Sequence, residues 1–216
     1  NKFFIFELHM EQEKKVILLA GPTASGKSEL ALRLAKSLNG EIINADSMQV
    51  YKEIFILTSR PIPRDTNIAK HHLYGFKLVK QKFSTGHWLK IAIKQINKQW
   101  NQSRTPIVVG GTGLYFKALI DGLVEIPDIP NNLTNEIRKL HKKIGQKNFY
   151  NELIKLDPLV KKFLLPSDSQ RSMRAYEVKK LTNKSLFAFT KETKPHFDKR
   201  IFRKLFINIP KELLHK

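Results

Sequence analysis

The sequence predicts an α/β fold in which a parallel sheet forms the core and an all-helical block is inserted into it. Short, wholly apolar segments alternate with segments of helical periodicity in the first half of the chain, the pattern of strand–helix–strand units. The segment that follows is basic and shows helical periodicity only. A strand-like segment then returns near residue 205.

The core elements follow one another in the first half of the chain. Val16–Ala20 is apolar throughout, as expected of a strand buried in a parallel sheet. The segment after Ser28 has helical spacing and ends at Asn39-Gly40. In chain order we predict a strand at 16–20, a helix at 28–38, a strand at 41–45, a helix at 88–100 and a strand at 107–109.

The chain changes character after Gly122, where Pro127 and Pro130 mark a boundary. Helical patterns occur at 133–144, 148–156, 158–163 and 169–181, and a strand pattern returns at 205–209. We predict a core segment at 10–125, a helical basic insertion at 126–200 and a return to the core at 201–216. A strand followed by so few residues is an unusual ending, so we expect the C-terminal part of the core to be missing.

The composition excludes several classes of protein. Of the 216 residues 41% are hydrophobic, which is enough for a folded core, and none is cysteine. The lack of cysteine excludes disulfides, cysteine-ligated zinc, iron–sulfur clusters and thiol catalysis. No apolar segment approaches the roughly 20 residues that span a bilayer, and the first residues do not resemble a secretory signal. We therefore expect a cytoplasmic protein without a membrane partner.

The charge is strongly positive, with 39 Lys and Arg against 19 Asp and Glu, a formal net charge of +20. Thirty of the basic residues are Lys, and Lys, Ile, Asn and Phe are all frequent, as AT-rich coding DNA would produce. Residues 126–204 alone hold 19 basic and 8 acidic residues, a net charge of +11. Two interpretations stay open: a solvated basic surface, or a polyanionic partner such as nucleic acid.

One segment has the pattern G-x-x-x-x-G-K-[ST] between a predicted strand and a predicted helix, the context that a phosphate-binding loop requires. Its backbone N–H groups can surround phosphate oxygens, its lysine adds a positive charge, and its final hydroxyl can bind Mg²⁺. The pattern predicts a diphosphate or triphosphate site, on a nucleotide such as ATP or on another ligand. The loop is Gly21-Pro22-Thr23-Ala24-Ser25-Gly26-Lys27-Ser28.

Two further segments follow predicted strands and are expected at the same sheet edge, where open parallel sheets bind ligands. Asp46 ends the strand after the loop and suits a general base, a metal carboxylate or a helix cap. Gly110 and Gly111 precede Thr112, whose hydroxyl is expected at this edge. A tight strand-to-helix turn is the alternative interpretation of the glycines. The adjacent His71 and His72 are interpreted as structural, because neighbouring residues of a strand point apart.

Together these segments resemble the tRNA dimethylallyltransferase (tRNA isopentenyltransferase) family over about residues 14–210. The resemblance rests on the loop 21–28, Asp46-Ser47-Met48-Gln49-Val50-Tyr51, Thr58 with Pro61, His71-His72-Leu73, the segments 110–119 and 121–123, Pro166-Ser167-Asp168-Ser169-Gln170-Arg171, Arg174-Ala175 and Glu177-Val178. This chain departs from the usual family pattern at Leu57, where a glycine is common, and at Arg60, where a lysine is common.

The resemblance implies a P-loop NTPase-like core with an inserted all-helical tRNA-binding domain. The implied reaction moves a dimethylallyl group from dimethylallyl diphosphate to N6 of the adenosine 3′ of the anticodon, in tRNAs that read codons beginning with U. Asp46 would accept the N6 proton, Thr112 would position the reacting groups, and the loop would hold the diphosphate with Mg²⁺ bound through Ser28. The implied contacts with the tRNA anticodon stem-loop are Ser47, Met48, Gln49, Val50, Gln170, Arg171, Ser172, Met173 and Arg174. We expect a monomer.

Two other functions stay open from the residues themselves. The first is a small P-loop kinase acting on a nucleotide or metabolite, with Arg171, Arg174, Arg200 and Arg203 as phosphate-clamping arginines. The second is a basic RNA-binding protein that retains a phosphate loop without using it.

Overall fold

A computed structural model of the protein describes residues 14–81, 83–124, 126–189 and 193–208. The described residues form two compact units, one from residues 14–121 together with 195–208, the other from within residues 122–194. The sequence pattern placed the insertion at 126–200, so both observed boundaries come earlier. Residues 10–13 and 209–216 of the predicted segments lie outside the described residues.

The first unit is built on a five-stranded sheet whose paired strands are all parallel, which confirms the predicted α/β class. The central strands are wholly or almost wholly buried because helices cover both faces of the sheet. The strand order is β3-β2-β4-β1-β5. The strands are β1 Val16–Ala20, β2 Gly40–Asn44, β3 His71–His72, β4 Thr105–Gly110 and β5 Phe202–Phe206.

Two apolar clusters hold the helices against this sheet. One contains Trp88, Ala92 and Ile96 together with Leu119, and the other contains Ala31, Leu32 and Ala35. The spacing of these residues places one stripe of each long helix on the sheet. The helices of this unit are α1 Lys27–Ser37, α2 Pro63–Ile68, α3 Thr85–Asn101 and α4 Gly113–Asp121, with a 3₁₀ turn at Lys199–Ile201.

The second unit contains helices and, among its described residues, no strand. Its elements are α5 Asn131–Leu156, a 3₁₀ helix Pro158–Lys162, α6 Ser169–Thr182 and α7 Leu186–Phe189. The sequence predicted two helices where α5 runs as one, and the difference lies at Gly145, whose φ of 75° kinks α5 between the two predicted segments. Tyr150, Leu153, Val160 and Ala175 form part of the buried core of this unit.

The prediction for the last strand is wrong in its position. The sequence placed the strand at 205–209, whereas β5 spans Phe202–Phe206 and pairs with β1 from Val16 to Ala20. Asp198 caps the preceding 3₁₀ turn by accepting from the Arg200 N–H, so the chain enters the sheet earlier. β5 is an edge strand of the described sheet, and only its Phe202 is buried. The positions of apolar residues therefore do not show which part of the chain forms this strand.

No helix among the described residues is long and apolar enough to cross a membrane. His72 donates from Nε2 to the Glu41 carboxylate at 2.7 Å, and His71 donates from Nδ1 to the Ala69 carbonyl at 2.8 Å, so each imidazole has its own protein partner.

Candidate active site

The carboxyl ends of β1, β2 and β4 lie side by side and bring three predicted segments to one edge of the sheet. The loop 21–28 follows β1, Asp46 lies two residues after β2, and Thr112 lies two residues after β4. Gly110 is required here by close approach, because a Cβ at this position would overlap the Ala45 carbonyl group. The order of the strands therefore explains why segments far apart in sequence form one site.

The phosphate loop reaches α1 through Gly26, whose φ of 76° is a left-handed conformation at the N-cap position. Thr23 and Ala24 are exposed, so the loop backbone faces solvent at the N-terminus of an eleven-residue helix. Ser25 differs from its neighbours because its side chain is buried, and its hydroxyl has no hydrogen-bond partner among the described residues. The exposed part of the loop therefore presents backbone N–H groups and Lys27, and not the Ser25 hydroxyl.

Lys27 lies across the loop and donates from Nζ to the Pro22 carbonyl at 2.9 Å. Burial lowers the pKa of Lys27 below its ordinary value, and the negative charge of Asp46 acts in the opposite direction. A diphosphate bound here would add negative charge and favour the ammonium form of Lys27.

Mg²⁺ fits the oxygen ligands at this edge. Ser28 is exposed in the first turn of α1. Asp46 provides a carboxylate whose charge acts on Lys27, the neighbour of Ser28 in the phosphate loop. In proteins Mg²⁺ is bound by one or two such groups together with substrate phosphate oxygens and water.

The backbone of Asp46 is hydrogen-bonded at both its N–H and its carbonyl group. The fully buried Asn44 accepts from the Asp46 N–H at 2.8 Å and donates to the Asp46 carbonyl at 2.9 Å and to the Leu73 carbonyl at 3.0 Å. One carboxylate oxygen of Asp46, Oδ1, accepts from the Met48 N–H at 2.9 Å. Asp46 does not cap a regular helix, since none of the helices in the described part of the chain starts there.

Thr112 is tied to the segment that carries Asp46. Its N–H donates to the Ala45 carbonyl at 3.1 Å, and its hydroxyl oxygen accepts from the Ser47 N–H at 2.9 Å. The Thr112 hydroxyl also donates to Ser47 Oγ at 3.3 Å. Thr112 is thereby hydrogen-bonded to the residues on either side of Asp46.

Aromatic side chains pack beneath this cluster. Trp88 is fully buried, donates from Nε1 to the Asn44 carbonyl at 2.8 Å and stacks on Tyr115 with ring centres 4.3 Å apart. Burial, with smaller contributions from Tyr51 and Asp46, raises the pKa of Tyr115 to about 12. Burial and the Asp46 charge also raise the pKa of Tyr74. Both phenols therefore stay neutral beside the carboxylate.

The segment after Asp46 divides into exposed and buried residues. Met48 is exposed, whereas the Val50 side chain is fully buried. Gln49 donates from Nε2 to the Thr58 carbonyl at 2.7 Å, which leaves its Oε1 as an acceptor. Gln49 also lines a pocket beside the loop, together with Ser28, Leu32, Pro61 and Tyr74. The sequence did not reveal this pocket.

The two departures from the family pattern lie within two residues of Ser59, which lines this pocket. The Leu57 side chain is almost wholly exposed. Arg60 donates to the Lys52 carbonyl at 3.1 Å, and its guanidinium lies over the Phe55 ring at 4.7 Å. These contacts tie the positive charge of Arg60 to its own loop.

The second unit presents the other group of predicted site residues at the start of α6. Gln170, Arg171 and Arg174 are exposed and Met173 is half-buried. The exception is Ser172, which is fully buried and donates to the Asp168 carbonyl at 2.6 Å. The Ser172 side chain therefore serves packing within this unit.

Sequence reasoning missed three residues that hold these segments: Asn44, Trp88 and Gln146. Gln146 donates to the Pro166 carbonyl at 2.6 Å and approaches His141 at 2.9 Å, which joins the kink of α5 to the segment before α6. For Asn44 a signal existed, because an amide that ends an otherwise buried apolar strand needs hydrogen-bond partners inside the protein. For Gln146 no local pattern distinguishes it from a solvated glutamine.

Known proteins resemble this chain over most of its length. A sequence model of the family described as IPP transferase matches residues 49–216. The protein named tRNA dimethylallyltransferase of Pelagibacter ubique is 52% identical over 205 residues, covering 95% of this chain and 66% of its own length. The protein of the same name from Rickettsia bellii is 45% identical over 206 residues, covering 95% of this chain and 65% of its own length.

Solved structures extend the similarity to the fold. A eukaryotic dimethylallyltransferase acting on tRNA superposes with a TM-score of 0.78 at 30% identity, over 93% of this chain and 50% of that one. The tRNA isopentenylpyrophosphate transferase of Staphylococcus epidermidis gives a TM-score of 0.55 at 28% identity, over 93% and 65%. This chain thus spans about two thirds or less of the length of these relatives. These similarities do not favour the kinase interpretation, and the chain belongs to the IPP transferase family.

Proposed function

We propose that the protein transfers a dimethylallyl group from dimethylallyl diphosphate to N6 of the adenosine 3′ of the anticodon in tRNAs that read codons beginning with U. The observation that carries the proposal is the meeting of Asp46, Thr112 and a phosphate loop at one edge of the sheet. The names of its relatives, which span a longer chain, support the same reaction.

In the proposed step the lone pair of adenosine N6 forms a bond to C1 of the dimethylallyl group. The bond between C1 and the diphosphate oxygen breaks, and its electron pair leaves with the diphosphate. The N6 proton passes to the Asp46 carboxylate, so that the product amine is neutral. A fixed carboxylate helps because an exocyclic amine is a weak nucleophile until it begins to lose its proton.

The residues of the loop act on the leaving group. Backbone N–H groups of Thr23 to Ser28 and the Lys27 ammonium bind the diphosphate and stabilise the charge that grows on it. Ser28, with diphosphate oxygens, would hold Mg²⁺, which supplies further charge stabilisation on the leaving group when bound. Thr112 is hydrogen-bonded to Ser47, next to Asp46, and so helps to position the base.

The tRNA contacts belong to the same proposal. At the sheet edge they are Ser47, Met48 and Gln49, and on α6 they are Gln170, Arg171, Met173 and Arg174. Because Val50 and Ser172 are buried, their part is limited to the backbone and to packing. A base of an anticodon loop can leave its stack and be bound by edge contacts, while basic side chains bind the phosphates. A monomer that works in the cytoplasm, where tRNA is available, completes the proposal.

An assay with unmodified tRNA and labelled dimethylallyl diphosphate, with and without ATP, tests this function. We expect label on the tRNA in both conditions, at the adenosine 3′ of the anticodon. Phosphate transfer from ATP to a small acceptor without labelled tRNA would instead indicate a kinase. Tight tRNA binding with neither reaction would indicate an RNA-binding protein, and would contradict the proposal. A chain extended to the length of the relatives provides the matched comparison.

A further inference from the structure

We propose that Asn44 is a positioning residue for the Asp46 carboxylate, and that Trp88 holds Asn44 in the orientation this requires. The inference rests on the proposed function, in which Asp46 accepts a proton. It starts from an unusual feature: a fully buried amide at the end of an apolar strand uses its acceptor and both of its donor contacts on backbone groups.

The contacts of Asn44 determine the backbone of Asp46. Oδ1 takes the Asp46 N–H and Nδ2 donates to the Asp46 carbonyl, so both backbone polar groups of one residue depend on one side chain. A third contact, to the Leu73 carbonyl, joins this turn to the segment after β3. Asparagine suits the position because it offers an acceptor and two donors on a short stem, whereas ionised aspartate offers acceptors only.

Trp88 completes the support from below. Its indole N–H donates to the Asn44 carbonyl at 2.8 Å, and its ring stacks on Tyr115. Asn44 therefore has hydrogen bonds on both its backbone carbonyl and its side-chain amide. With the Asp46 backbone fixed, the carboxylate keeps one oxygen on the Met48 N–H, and the other is left for the substrate proton. A misplacement of a reacting group by about 1 Å costs on the order of 100-fold in rate.

The test compares Asn44→Ala, Asn44→Asp and Trp88→Phe with a matched control, Trp100→Phe. Trp100 lies on the same helix and donates its indole N–H to the Lys15 carbonyl at 3.1 Å, next to the opposite end of β1 from the phosphate loop. We expect kcat to fall roughly 10- to 100-fold in both Asn44 variants and less in Trp88→Phe. The KM for dimethylallyl diphosphate and the Kd for tRNA should change less than about threefold, and Trp100→Phe should match the wild type.

Amide hydrogen exchange gives a readout that does not need activity. The Met48 N–H is bonded to the Asp46 carboxylate, so its exchange rate reports whether that carboxylate stays in place. In Asn44→Ala we expect faster exchange at Asp46 and Met48, and no change there in Trp100→Phe. If Asn44→Ala does not fold, Trp88→Phe takes its place.

Unchanged kcat in the folded Asn44 variants, or unchanged exchange at Met48, would overturn the proposal. An equal loss of kcat in Trp100→Phe and Trp88→Phe would also overturn it, since the effect would then be general instability. If the wild type itself transfers no dimethylallyl group, the proposed function fails, and exchange at Met48 alone decides the role of Asn44.

Discussion

The two groups of proposed site residues, one at the edge of the sheet and one on the exposed surface of α6, differ in how firmly polar contacts hold them. At the edge, the backbone N–H and carbonyl groups of Asp46 are both hydrogen-bonded, and Thr112 is bonded to two residues of the same segment. On α6 the two exposed arginines make ion pairs, Arg171 with Asp168 at 3.6 Å and Arg174 with the buried Glu177 at 3.3 Å. A pair between exposed side chains, such as Arg171 with Asp168, contributes at most about 1 kcal/mol and rearranges readily.

The difference indicates a division of labour. Proton and group transfer need fixed distances, whereas binding of a polyanion needs positive charge that can adapt to phosphate positions. Substitutions at the edge should therefore change the rate of transfer, and substitutions on α6 should change affinity and its dependence on salt. An edge variant that changes only tRNA affinity, or an α6 variant that changes only the rate, would contradict this division.

The largest effect is expected for Asp46→Asn, which keeps the shape of the side chain but removes the base. Transfer should fall about 10²- to 10⁴-fold, the usual contribution of a general base, while tRNA affinity stays within a few fold. Single-turnover rates and a filter-binding titration measure the two quantities. Asp121→Asn, a partly exposed carboxylate of the same unit that pairs with Lys117 and Lys199, is the control and should retain full activity. Transfer at a wild-type rate in Asp46→Asn would show that another group takes the proton.

The next effect is expected for Lys27→Ala. Removal of the ammonium group should weaken inhibition by free diphosphate roughly 100-fold, because a charged hydrogen bond to the leaving group is worth about 1.5–3 kcal/mol. Lys36→Ala, in the last turn of the same helix, tests whether any positive charge on α1 has this effect. Inhibition that is equal in wild type and Lys27→Ala would place the diphosphate elsewhere.

A smaller effect is expected on α6 when Arg171 and Arg174 are both replaced by Ala. We expect the Kd for tRNA to rise about 10-fold and the salt dependence of binding to become shallower, by about 0.7–0.9 for each phosphate that an arginine no longer neutralises. The kcat at saturating tRNA should not change. Arg64→Ala removes an exposed, ion-paired arginine of the other unit and serves as the control. A reduced kcat with unchanged Kd would mean that α6 takes part in the chemistry.

The smallest effect concerns pH. Since burial lowers the pKa of Lys27, this residue loses its proton before an ordinary lysine does, and diphosphate favours the protonated form. Affinity for diphosphate should therefore decrease as pH rises through the lowered pKa towards the ordinary value of 10.5. In the same window the unfolded chain binds more protons, so this group's contribution to folding stability increases with pH.

Calorimetric titration with diphosphate at several pH values measures this dependence. Lys27→Arg keeps its charge throughout and corrects for the titration of diphosphate itself. An identical pH dependence in both proteins would mean that Lys27 does not titrate in this range.

Patterns in the sequence predicted the parts of the fold that depend on local periodicity. Val16–Ala20 is a strand with the predicted bounds, and the helix predicted at 169–181 corresponds to α6. The phosphate loop could be found because the spacing of its glycines, lysine and serine is what a loop needs to surround a phosphate. The position of β5 could not, because an edge strand is selected by its pairing with β1, which no local pattern reports.

The site divides in the same way. Asp46 and Thr112 follow apolar strands, so their place at the edge could be inferred before their mutual contacts were known. The support of Asn44 by Trp88 could not be inferred, since it joins residues 44 positions apart. The burial of Ser172 could not be predicted either. Its partner is the Asp168 carbonyl, and the sequence indicated Asp168 only as part of a motif.

The pairing of β1 with β5 has a consequence for synthesis of the chain. Residues 16–20 leave the ribosome long before residues 202–206, with the whole helical unit between them. Such distant pairings form late and slowly, while the helical unit can fold from local contacts in the meantime. Until Phe202 arrives, β1 is a wholly apolar strand with one open edge, the kind of edge through which unfinished chains aggregate.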